Sequence, residues 1–177
     1  MEIQKNQTVT FQDTASAKRE TLLPGILTGQ AAGLIMAVVV MAVFTLFLGK
    51  GPLYPVQVIG SALFGEAALE GFHFWAFLSG LVLHQAGPSL LWGVVFGLLA
   101  RKLAVSTTQG ALALGIAVGI ISMVGPYVLI PFVMNMLQGV DIWNREVPMF
   151  WDWAAHLVFG LSFVLYPTIR ARLEVRK

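Results

Sequence analysis

Cysteine is missing from all 177 residues. Its absence excludes disulfide frameworks, zinc–thiolate sites, iron–sulfur clusters and a cysteine nucleophile. Charge is scarce as well: Asp, Glu, Lys and Arg make up 11% of the chain, against roughly 25% in an average soluble domain. A formal net charge of +2 is too small to point to nucleic acid. Long polar stretches are few, which leaves little chain for a soluble catalytic module. No glycine-rich phosphate loop, serine–histidine–acid order or pair of catalytic carboxylates inside an apolar run is present, so the sequence speaks against an enzyme. The first twenty residues lack the basic start and small-residue cleavage site of a signal peptide and read as a retained, exposed tail.

What abounds is apolar: such residues reach 57%. The expected fold is all-α, an integral membrane four-helix bundle with short interfacial helices in its outer loops. The uncharged run TGQAAGLIMAVVVMAVFTLFLG is about 22 residues, or roughly 33 Å of helix, one full crossing. Counting about twenty residues back from the Arg101–Lys102 stop places a second crossing near 79–100. STTQG at 106–110 marks a turn, so a third runs over 110–131. The fourth, 153–169, is short for a span and relies on Trp151 and Trp153 at one interface and Arg170 at the other. The expected organisation is a tail over 1–24, a transmembrane domain over 25–170 with its first span at 28–49, and a basic tail over 171–177.

Orientation follows from Lys and Arg. Lys5, Lys18, Arg19, Arg101, Lys102, Arg170, Arg172, Arg176 and Lys177 fall on one side of this layout, and only Lys50 and Arg145 on the other. By the positive-inside rule both termini and the 101–109 loop are cytoplasmic, while 50–78 and 132–152 face outward. Tyr54, Trp75, Trp143, Trp151 and Trp153 fall in or beside those outer segments, as an interfacial belt would. A short helix opened by Pro55 and stopped at Gly71 is expected in the first, and a turn or two at DIWNREVP in the second.

Lipid supplies no hydrophobic force between helices, so close contact needs small residues. Gly29 and Gly33, Gly93 and Gly97, and Ala111, Gly115 and Gly119 repeat at four-residue steps and give three helices a smooth face. Pro88, Pro126, Pro131 and Pro167 each remove a backbone donor and free the carbonyl four residues earlier, which predicts kinks.

Chemistry concentrates near the outer rim. His84 lies about 25 Å above Arg101 and His156 about 21 Å above Arg170 at 1.5 Å per residue. Asp152 stands one turn above His156 on the same face. If 56–73 is helical, Glu66, Glu70 and His73 share an arc of roughly 60°. The rim then gathers Glu66, Glu70, His73, His84, Asp152 and His156 into one polar cluster. Such a set can hold zinc, copper or iron, and Glu70-x-x-His73 has the spacing of di-iron bundles, though in one copy where two are needed. His84 and His156 also have the placement of axial haem ligands, which demands a cleft that small-residue seams oppose. The plainer reading is that neutral histidines tie helices together, with the His84 imidazole bonding the carbonyl freed by Pro88 or a neighbour of it. No resident cofactor is predicted.

HQAGPSLLWGVVFGLLARK, GALALGIAVGIISMVGPYVLIPF and HLVFGLSFVLYP together resemble small uncharacterised four-pass bacterial membrane proteins of the domain-of-unknown-function kind. The resemblance covers about residues 25 to 169, rests mostly on helix-packing motifs, and implies the same topology in a bacterial inner membrane without catalytic residues. The expected function is a non-enzymatic accessory subunit, held by other integral membrane subunits and lipid in a larger complex of the respiratory or electron-transfer sort. In that case the Gly115/Gly119 face is buried against another chain. The rival is a small-solute or metal-handling membrane protein that uses the outer cluster.

Overall fold

The computed structural model describes the backbone of residues 3–175 and the side chains of residues 22–175. The protein is all-α, with no strand among the described residues. Helix α1 (Ile3–Phe47) contains the first apolar span, Leu22–Phe47. A short helix, α2 (Tyr54–Phe64), leads through a 3₁₀ turn at Glu66–Leu69 into α3 (Phe74–Lys102). Then come α4 (Thr108–Gln138), the five-residue α5 (Ile142–Glu146) and α6 (Met149–Glu174). Four of these, α1, α3, α4 and α6, are long and apolar enough to cross a membrane.

The spans exceed their sequence-based bounds at several ends. Pro131 does not stop α4: it falls in the first turn of a new helical segment, where its missing donor is tolerated, and the chain runs on to Gly139. The last helix is not short, because Pro148 opens it and a pair between Arg170 Nε and Glu174 Oε1 at 2.9 Å supports its final turn beyond residue 170. Side chains of the expected tail up to residue 21, and residues 176 and 177 of the basic tail, lie outside the described residues. Arg101, Lys102 and Arg172 gather at one end of the bundle, the basic end; Lys50, Glu66 and Arg145 mark the opposite, distal end.

Small residues close the bundle on itself. α1 crosses α3 with Gly25 and Gly29 against Gly97 and Gly93 and with Gly33 against Ser89; a Cβ on Gly25 would stand 2.6 Å from the Gly97 Cα. α4 meets α6 in the same manner, Gly119 lying on the His156 carbonyl and Gly115 on Gly160. The Gly115/Gly119 face is therefore filled by α6 of the same chain and is not free for another subunit. α1 also packs along α6. Between these seams, at the basic end, the Phe96 and Phe163 rings stack with centroids 4.2 Å apart and Tyr166 meets Phe96 edge-on at 5.1 Å.

A third seam was not legible in the repeats. α2 runs antiparallel along the distal half of α3, with Gly60 against the Ala76 carbonyl and Gly80 against that of Val56. This helix stops at Gly65, not Gly71: Gly65 takes φ +68°, a left-handed conformation that a side chain disfavours, and its N–H returns to the Ser61 carbonyl. Gln57 then pins the following loop, donating to the Ala68 carbonyl at 2.8 Å and the Gly71 carbonyl at 2.7 Å. Glu66, Glu70 and His73 thus share no helix face. The expected turn at DIWNREVP is α5, capped by Asp141, which accepts from the Asn144 N–H at 3.1 Å.

Candidate functional site

Two of the prolines act through π turns. Gln85–Ser89 in α3 holds Pro88, and Gly125–Leu129 in α4 holds Pro126. A π turn takes in one extra residue, which rotates the helix on either side and leaves carbonyls for side chains. Pro88 does free the His84 carbonyl, but the Ser89 hydroxyl takes it at 3.0 Å, not the imidazole. Gln30 from α1 donates to the Gln85 carbonyl at 2.9 Å. The His84 Nδ1 and both amide atoms of Gln85 are buried with no partner. Such atoms stand out, because buried polar groups are nearly always bonded.

Ser122 ends the regular part of α4. The Met123 N–H bonds the Ile120 carbonyl, so the Gly119 carbonyl loses its usual donor and accepts the Ser122 hydroxyl at 2.7 Å. Ser122 Oγ also lies 2.6 Å from His156 Nδ1. Since the single hydroxyl hydrogen goes to Gly119, the imidazole Nδ1–H donates to Ser122. A serine arranged in this way does not hand its proton to a base as a nucleophile would. The other nitrogen, His156 Nε2, stands 3.7 Å from Asp152 Oδ1, and Asp152 Oδ2 accepts from Trp143 Nε1 at 3.2 Å. Asp152 and His156 are buried, 6% and 8% exposed. The result is one continuous polar chain, Trp143–Asp152–His156–Ser122, between α5, α6 and α4.

Beside it opens a cavity of about 140 Å³. Its walls come from α1 (Met36, Val40, Phe44), α2 (Pro55, Val56, Ile59), α3 (Leu81, His84), the α5 region (Trp143, Val147) and α6 (Trp151, Asp152, Ala155, Val158). The walls are apolar apart from His84, Asp152 and the indole nitrogens. By size it matches engineered apolar cavities of about 150 Å³ that accept one aromatic ring.

The sequence-expected rim cluster is dispersed. His84, Asp152 and His156 come to this one region. His73 instead caps α3, its Nδ1 accepting the Ala76 N–H at 3.0 Å while its ring lies 5.0 Å from that of Phe64. Glu66 pairs with Arg145, and Glu70 is exposed. No group of three or more His, Asp or Glu side chains able to hold a metal ion occurs among the described residues. The His156 nitrogens face Ser122 and Asp152, so they do not aim at an iron shared with His84.

The two basic residues of the distal end both find Glu146. Lys50 Nζ lies 3.9 Å and Arg145 Nε 3.0 Å from its carboxylate, and Tyr54 donates to it at 2.6 Å. Burial pushes the Glu146 carboxyl up, but the bonds from Tyr54 and Arg145 and the charges of Lys50 and Arg145 outweigh it and hold the group below its ordinary value. Burial and then the bond to Glu146 push the Tyr54 phenol up.

Gln57, Ser89, Ser122 and Glu146 are not marked by the sequence, and Tyr54 and Trp143 are marked only as interfacial aromatics. Pro126 was the one available signal near Ser122, since a proline within a helix disturbs the bonding of the turn before it and leaves carbonyls that a nearby hydroxyl can reach. Nothing in the sequence marks Trp143 as a partner for Asp152. No family model, curated protein or solved structure matches the chain.

Proposed function

We propose that this chain is a non-enzymatic, multi-pass protein of a bacterial inner membrane, with both termini cytoplasmic, that binds a small solute of mainly apolar body in its distal cavity. The observation that carries the reading is the cavity itself: an apolar chamber of about 140 Å³ whose wall holds a histidine and a buried carboxylate. Pockets of this make, apolar with few convergent polar groups, are the usual form of a small-molecule site. Ionisable residues inside spanning helices point the same way. The alternative role as an accessory subunit of a larger, respiratory-type complex loses its expected docking face, because Gly115 and Gly119 are spent on α6.

The experiment is purification of the full chain in mild detergent, with mass spectrometry of co-eluting proteins and small molecules. The expected result is a retained small organic molecule that disappears when Ile59→Trp fills the cavity. Stoichiometric recovery of other membrane subunits with an empty cavity overturns this reading in favour of the accessory role. Sidedness is tested on the cysteine-free chain: an impermeant thiol reagent outside the cell should label Glu70→Cys and spare Ser106→Cys.

A further inference from the structure

Asp152 is the one Asp or Glu among the buried residues described, and no Lys or Arg among the described residues balances it. Lys50 and Arg145 are committed to Glu146 and Glu66, and Arg170 to Glu174. Of the elements around Asp152, α5 offers the neutral Trp143 indole, α4 offers Ser122 through His156, and α3 offers His84. The cavity walls from α1 and α2 are purely apolar. Desolvating an unpaired carboxylate is costly, so the group keeps a proton or acquires a counter-ion. The hydrogen-bond order leaves one nitrogen of His156 open toward the carboxyl. With Nδ1–H of His156 committed to Ser122, its Nε2 lone pair stands 3.7 Å from the carboxyl, and one proton held by either group leaves the pair neutral.

Resting on the small-solute reading above, we propose that the solute is a cation of single-ring size, an aryl or alkyl ammonium, which binds in exchange for the proton held by Asp152 and His156. The ammonium meets the Asp152 carboxylate, and Trp143 and Trp151 line the same wall, where aromatic rings suit a desolvated cation. The balance is simple. A neutral pair with one proton takes up one cation and gives up that proton, which leaves Asp152 ionised against the ammonium and His156 neutral. Without that departure an imidazolium would stand 3.7 Å from the carboxylate and repel the incoming charge. The pocket is then a proton-for-cation exchange site.

The test is calorimetric titration of the full chain in detergent with phenyltrimethylammonium, which cannot lose a proton, and with its neutral isostere tert-butylbenzene. Running it in buffers of different ionisation enthalpy counts released protons. The expected outcome is cation binding at least about tenfold tighter than that of the isostere, with about one proton released per cation near neutral pH, and no release with tert-butylbenzene. Asp152→Asn, which keeps an acceptor for Trp143, should remove the preference and the proton release while leaving tert-butylbenzene bound. His156→Gln should keep both the preference for the cation and the release, because the unpaired Asp152 then holds the proton itself. Equal binding of both probes without release overturns the exchange proposal and leaves the small-solute reading standing. Failure of both probes to bind the unaltered chain, where Ile59→Trp changes nothing either, overturns both.

Discussion

The two halves of the bundle solve the same problem in opposite ways. Toward the basic end, α1 and α3 touch through glycine backbones and the gap left beside α6 is filled by stacked aromatic rings. Toward the distal end, π turns interrupt α3 at Pro88 and α4 at Pro126, α2 packs along α3, and a cavity with a buried carboxylate remains. Among the described residues, the unpartnered buried side-chain atoms are one at the basic end, the Tyr166 hydroxyl, and three at and after the Pro88 turn's start, on His84 and Gln85. Close packing without side chains makes a helix pair rigid; bulged turns with spare polar atoms make a place for something else. The comparison teaches that glycine repeats and prolines in one membrane protein divide the labour between holding and accommodating.

The sharpest way to break the contrast is Gly29→Leu. Its side chain would have to enter the Gly93 backbone, which cannot yield without separating α1 from α3. A loss of about 3 kcal/mol or more is expected, as for severe overpacking, read from thermal unfolding in detergent. A variant that unfolds at the parent temperature would show that the seam is loose.

Ser122→Ala tests the distal half. It strands the Gly119 carbonyl and the His156 Nδ1–H together, and a cost of about 1–3 kcal/mol is expected for leaving buried groups unpaired. The same unfolding assay reads it, and His156→Ala combined with it should cost less than the two separate losses together, because the groups share one chain of bonds.

Glu146→Gln probes the distal rim, where the pairs are half-exposed and a smaller loss of about 1 kcal/mol is expected. Its pH dependence has a definite sign. The carboxyl is held below its ordinary value in the folded protein, so its contribution is complete above the unfolded value of about 4.3 and is lost as pH falls through the lower folded value. Unfolding temperatures of the parent and Glu146→Gln should therefore converge in that acid range and differ most at neutral pH. The smallest effect belongs to Gly87→Ala: nothing lies within 4 Å of the added methyl, and the change should stay within about 0.5 kcal/mol.

Much of the layout was legible in the chain. Four uncharged runs announced four helices, and the four-residue glycine steps marked close-packing faces on three of them, although the Gly115/Gly119 face meets α6 and not the expected second chain. Helix ends were harder to place. The end at Gln138 and the start at Phe74 depend on α2 and α5 covering backbone and side chains that a hydropathy count treats as loop. The site was legible only as an inventory. His84, Asp152 and His156 come to one region of the fold, whereas Glu66, Glu70 and His73 were joined to them through a helix that Gly65 cuts short.

Hydropathy and charge act on each residue singly, through the cost of placing it in hydrocarbon, and so the number of crossings and the crowding of basic residues at one end were determined by the sequence alone. Who bonds whom is a property of pairs from different helices. That Trp143 reaches Asp152, that Ser122 turns to Gly119 and thereby orients His156, and that Gly115 and Gly119 close on Gly160 were decided only by the tertiary structure. The helix crossings and two π turns set the distances on which those bonds depend.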